Sequence, residues 1–174
     1  METNLKLPIN STILIDSNFL IDYFSNENKY IKFLTQVKKN NCTLVSIDLV
    51  KAEFIRTKHQ DILKQKSALF NQIIEAILPL DQSTINLIQP TIEEYGFDSE
   101  GVSVVDFCLA CCLKRYKGLF LLTRNHKDFP VKIFIRDYLF TIELEKDIRT
   151  YALYSYTTES DEIVEELNPD DIPF

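Results

Sequence analysis

The sequence predicts an α/β fold: a three-layer α/β/α sandwich with a mainly parallel central sheet, followed by a β-rich C-terminal extension. Three observations carry this. Short β-branched or apolar runs alternate with amphipathic helical stretches as far as residue 123, the pattern of parallel strands joined by helical crossovers. The 174 residues, 45% of them hydrophobic, suffice for one domain with a sizeable core. Glycine (3) and proline (6) are too scarce for a loop-rich or low-complexity chain. Residues 1–156 are expected to form the domain and 157–174 a tail.

The elements follow in order. "STILIDSNFLIDYF" (11–24) predicts a strand that ends at Asp16 and runs directly into a helix, with Phe19, Leu20, Tyr23 and Phe24 at helical spacing. Residues 27–40 read as an amphipathic helix and "CTLVS" (42–46) as a second strand. A helix over 47–58 has Ser46 or Asp48 as its N-cap, and helical spacing continues over 59–77. "LPL" (78–80) is a short candidate strand, and 82–97 is helical but interrupted by Pro90. "SVVDFCLACCLKRY" (103–116) is a helix apolar almost all round and so buried; "GLFLLT" (118–123) is a central strand. "VKIFIR", "YLFTIEL" and "RTYALYSYT" are β-rich.

The net charge of −7 is unevenly distributed. The chain has 26 acids and 19 bases, and the seven acids of residues 159–174 account for the whole excess. The body is neutral, so a pI near 4.9 does not exclude a nucleic-acid partner. Within the tail, Ile163, Val164 and Leu167 have the spacing of a short amphipathic helix; the segment reads as a solubilising end or as an acidic cover for a basic groove.

No apolar run is long enough to span a bilayer, and the N-terminus lacks the apolar region of a secretory signal, so a cytoplasmic protein without a membrane partner is expected. Cys42, Cys108, Cys111 and Cys112 read as small core residues, because zinc would need more thiols or histidines nearby than His59 and His126 supply.

Four acids stand where a fold does not ask for them. Asp16 ends a buried strand, where a helix N-cap is the local reading. Glu53 lies four residues after Leu49 and three after Val50, which puts it on the apolar side of its helix or at that side's boundary. Asp106 sits among Val104, Val105, Phe107, Cys108 and Leu109, and burying it unpaired costs several kcal/mol, so a Lys, an Arg or a metal ion must meet it. Asp128 closes "LLTRNHKDFP" (121–130) and alone reads as a turn or cap residue. Asp16 and the Thr123–Asp128 segment both follow strand C-termini, the edge at which parallel sheets bind ligands. Carboxylates that converge repel one another and raise their pKa values unless a divalent cation lies between them; oxygen-only ligands favour Mg²⁺ or Mn²⁺ over zinc.

"ILIDSNFLIDYF", "VSIDLVKAEFIR", "SVVDFCLACCLKRY" and "LLTRNHKDF" occur in the order and approximate spacing of the PIN domain, and over residues 12–129 the chain resembles most the VapC-type toxin nucleases. The resemblance implies metal ligation and catalysis by Asp16, Glu53, Asp106 and Asp128, with Asn18, Thr123 and Asn125 in support. It implies a metal-dependent endoribonuclease in which metal-activated water attacks RNA phosphorus and leaves 5′-phosphate and 3′-hydroxyl ends. An antitoxin protein and a homodimer are the further partners it brings into question. Arg124 and Lys127 are either substrate-phosphate contacts or solvated, and His126 has no chemical task where metal activates the water. The segment 131–156 and the tail exceed a minimal toxin, so the resemblance supports the nuclease fold better than toxin biology. The competing reading is a non-catalytic PIN-fold module that binds RNA or protein. A phosphatase is disfavoured because position 18 is Asn where its signature has a second Asp.

Overall fold

The computed structural model describes residues 7–157 and, beyond them, the strand Glu165–Glu166. In chain order, β1 (Thr12–Ile15) leads into α1 (Ser17–Ser25), α2 (Glu27–Lys39), β2 (Thr43–Ser46), α3 (Asp48–Ile55), α4 (Gln60–Ile73) and β3 (Ala76–Ile77). There follow α5 (Gln82–Ile85), α6 (Ile88–Tyr95), a 3-10 turn (Gly96–Ser99), α7 (Val104–Arg115), β4 (Tyr116–Lys117) and β5 (Leu119–Thr123). β6 (Ile135–Glu143), β7 (Ile148–Ser155) and β8 (Glu165–Glu166) complete the series.

The main sheet has the order β3-β2-β1-β5-β7-β6, and its first four strands are parallel. Ile13, Leu14, Ile15, Leu121 and Leu122 are fully buried without alternation, as a sheet covered on both faces requires. The helices sort into two packing groups, α1 with α2, α3 and α4, and α7 with α5 and α6, in keeping with a three-layer arrangement. α7 is buried from Asp106 to Leu113, as its all-round apolar sequence predicts.

The β-rich segment is no separate appendage. β7 runs antiparallel to β5 and β6 antiparallel to β7, so the hairpin extends the same sheet and makes it mixed. Residues 131–134 form a turn that buries Phe134, and the strand begins only at Ile135.

Other local expectations are corrected. The helix expected over 59–77 stops at Ile73, and the strand is Ala76–Ile77, not 78–80, because Ala76 aligns with Val45 of β2. Pro90 does not break its helix: it lies in the first turn of α6, where its missing N–H costs no helical bond, and the interruption falls at residues 86–87. Neither Ser46 nor Asp48 caps α3; Ile47 occupies the N-cap position without a side-chain bond, and the Ser46 hydroxyl donates to the Ile15 carbonyl at 3.0 Å. The helix foreseen around Ile163, Val164 and Leu167 lies outside the described residues, apart from β8, which pairs in parallel with β4.

Strand register brings three segments to one edge of the sheet. Ile15 pairs with Leu122, so Asp16 and Thr123 emerge side by side at the carboxyl edge. Thr123 pairs with Ala152, so the start of the antiparallel β7 overhangs that same edge.

Candidate functional site

Asp16 is both the N-cap of α1 and the first wall of a cavity, so the local reading and the site reading hold together. Its carboxylate accepts the Ser17 backbone N–H at 2.5 Å and the Thr123 hydroxyl at 2.7 Å, and the Asn18 side-chain amide also donates to it. Thr123 is fully buried, and its oxygen accepts in turn from the Asn18 amide and the Asn125 backbone N–H, both at 2.9 Å. One hydroxyl thereby joins the end of β1, the first turn of α1 and the loop after β5.

Asp106 occupies the first turn of α7, three residues after its N-cap Ser103. The Ser103 hydroxyl accepts the Asp106 N–H at 3.1 Å and donates to its carboxylate at 2.6 Å, a variant of the capping box. Asp128 sits in the turn after β5: its N–H reaches the Asn125 carbonyl at 3.2 Å, its carboxylate accepts the Asn125 amide, and the Tyr95 hydroxyl donates to its carbonyl at 2.9 Å. Glu53, on α3, accepts the Ser17 hydroxyl at 2.9 Å.

All four acids line one cavity of about 460 Å³, with Arg124 and Lys127 on its wall. Asp16, Asp106 and Asp128 are 4%, 8% and 7% exposed, which leaves them little water to stabilise charge. Of the two positions the sequence left open for Glu53, the structure shows the boundary one: the residue is exposed. α3 buries Val50 and Phe54, whereas Leu49, whose side of the helix Glu53 shares, is itself at the surface; Glu53 therefore stands at the cavity rim.

Burial pushes the Asp16 carboxyl up to about 6; the Thr123 hydrogen bond opposes this and the charge of Asp106 reinforces it. Asp106 is likewise raised, first by burial, against the hydrogen bond from Ser103, and then by the charges of Asp128 and Glu53. Mutual repulsion, expected from the sequence as the cause, is real but second to desolvation.

Among the described residues no Lys or Arg forms an ion pair with any of the four acids, so the cationic partner considered for Asp106 is absent there. Arg124 instead reaches Asp22, 2.7 Å away. His126 has both ring nitrogens engaged, by the Tyr154 hydroxyl and the Thr150 carbonyl, and burial lowers its pKa. The four cysteines are free and buried. Among the described residues no three His, Cys, Asp or Glu side chains stand, as placed, in a group that could hold one metal ion.

Three residues of this region have no place in the sequence-level expectation. Ser103 was readable, since a serine three residues before an acid and ahead of an apolar run is a helix-start pattern. Ser17 was not, because its partner Glu53 is 36 residues away. Asp22 was hidden by its neighbours, being one more polar residue in an amphipathic helix. Comparisons with protein-family models, with curated proteins and with solved structures give no match to this chain.

Proposed function

We propose that this chain is a divalent-metal-dependent endoribonuclease of PIN-like type, with Asp16, Glu53, Asp106 and Asp128 as the ligands of Mg²⁺ or Mn²⁺, directly or through water. One observation carries the reading: four carboxylates from four separate segments of the chain line a single cavity, braced by hydroxyls and amides and by no cation among the described residues. An all-oxygen, anionic donor set suits a hard dication. As placed, the carboxylates do not converge on one ion, so a bound cation would have to draw them together. When bound, the cation supplies an activated water and neutralises charge at the scissile phosphate.

The chain's own residues do the remainder. Thr123 and Asn18 fix the orientation of Asp16 through one carboxylate oxygen while the Ser17 backbone N–H holds the other, and Asn125 orients Asp128. Arg124 and Lys127 place positive charge on the wall of an otherwise acidic cavity, where phosphate oxygens can meet it. An antitoxin partner and a homodimer rest on the sequence resemblance alone.

The deciding experiment incubates the purified chain with single-stranded RNA. Cleavage is expected with Mg²⁺ or Mn²⁺, none with EDTA, and a rate reduced by orders of magnitude in folded Asp106→Asn. Full activity in Asp106→Asn overturns the assignment; RNA that is bound and never cut favours the non-catalytic module.

A further inference from the structure

The metal-site reading leaves one buried acid unused. Asp22 is 6% exposed, on the helix that begins at Asp16, and it gathers charge from two strands. Its Oδ2 lies 2.7 Å from Nε of Arg124, and its Oδ1 lies 3.8 Å from Nε of Arg149. The Tyr151 hydroxyl donates to Oδ2 at 2.7 Å and is itself 3.0 Å from the Tyr30 hydroxyl, so the carboxylate is fixed from behind. Arg124 directly follows β5, and Arg149 belongs to the part of β7 that overhangs the end of β5; the register of these strands brings them together.

One carboxylate cannot neutralise two guanidiniums. The other contact of Arg149 is Asp147, 2.9 Å away and 52% exposed, where solvent screens the pair. Both Nε atoms are buried, and neither makes an aligned hydrogen bond, so charge proximity holds the two side chains in place. Their side chains remain 36% and 32% exposed, open to a ligand. Arg124 lines the acidic cavity and Arg149 lies outside it.

We propose that Asp22 is a positioning residue that holds Arg124 and Arg149 side by side as a double-guanidinium cradle for a backbone phosphate flanking the scissile one. Guanidinium forks match phosphate oxygens in geometry as well as charge. The cradle deepens the nuclease reading and rests on it: the substrate is a polynucleotide strand that continues from the cavity over Arg124 towards Arg149, and an isolated phosphodiester fills only part of the site.

The test compares kcat/KM on single-stranded RNA with kcat/KM on bis(p-nitrophenyl) phosphate, for the full chain and for Asp22→Asn and Arg149→Ala. Each variant is expected to lose at least about tenfold more on RNA than on the small diester, mainly through KM. Binding of fluorescein-labelled RNA by Arg149→Ala should show a salt slope smaller by about 1 than that of the unsubstituted protein. Equal losses on the two substrates overturn the proposal, since a purely structural ion pair disturbs both alike. Should Asp22→Asn not fold, Arg149→Ala, partly exposed on β7, carries the comparison. If the unsubstituted protein cuts neither substrate, the nuclease reading fails separately, and the salt slope alone decides the cradle: an unchanged slope in Arg149→Ala rejects it.

Discussion

The Thr123 hydroxyl donates to the Asp16 carboxylate across 2.7 Å, linking the last residue of one central strand to the residue that ends its neighbour. Valine has nearly the same shape as threonine and no donor. Thr123→Val should therefore cost about 1–3 kcal/mol, the range for a buried polar group left unsatisfied. It should also lift the Asp16 pKa further, because the hydrogen bond that opposes burial is gone. Thermal melts check the first effect; a shift of the acid limb of the cleavage profile to higher pH checks the second.

Metal-free stability should fall as pH rises through weakly acid values. Burial holds the Asp16 carboxyl at about 6 in the fold against an ordinary value of 3.8, so between these values the folded protein binds more protons than the unfolded chain. Its contribution is fully present below the lower value and is lost as pH rises through the upper one. A displacement of this size corresponds to on the order of 3 kcal/mol. Asp106 acts in the same direction. Melting temperatures in EDTA should decline across this window, decline less in Asp16→Asn, and flatten for the unsubstituted protein in saturating Mn²⁺.

Asp106→Asn should melt higher than the unsubstituted protein in EDTA at neutral pH, by on the order of 1 kcal/mol. The substitution removes a charge that is buried and repelled, while the amide oxygen can still accept from Ser103. Part of the gain is offset by the loss of a negative charge at a helix N-terminus. Added Mn²⁺ should stabilise the variant less than the unsubstituted protein. A sharp drop in melting temperature with an unchanged Mn²⁺ response contradicts this and points to a stranded cation beside position 106.

Ser103→Ala should destabilise by about 1 kcal/mol through loss of the cap of α7. It also frees the Asp106 carboxylate from its hydroxyl partner, so the Mn²⁺ concentration for half-maximal cleavage should change, whereas Ser103→Thr should restore both properties. A Mn²⁺ titration of the cleavage rate reads this out.

What the sequence disclosed depended on whether the signal was local. β1 and β5 were legible because their runs stay apolar on both faces, and Asp106 because it interrupts such a run. The edge that collects Asp16, Thr123 and Asp128 followed from strand direction alone. For Glu53 the sequence left the apolar side of α3 and its boundary open, since the choice depended on which side of the helix is buried. The link between Asp22, Arg124 and Arg149 was hidden: its partners are far apart in the chain, and a hairpin that adds to the main sheet reads the same as one that stands alone. The dominance of burial over repulsion at Asp16 is a property of the packed interior.

The parallel pairing of β1 with β5 has a consequence for the life of the chain. Asp16 meets Thr123 across 107 residues, Glu53 and Asp106 come from helices within that span, and Asp128 follows five residues after it. Such distant pairings form slowly, because loop closure must precede any reward. During synthesis the ribosome releases the segments bearing Asp16 and Glu53 well before β5 exists, so under the proposed nuclease function the nascent chain should be inactive towards RNA. The same dependence acts in reverse. Fraying of β5 from β1 should dismantle the whole centre at once, and loss of activity in early denaturant should precede loss of helical signal.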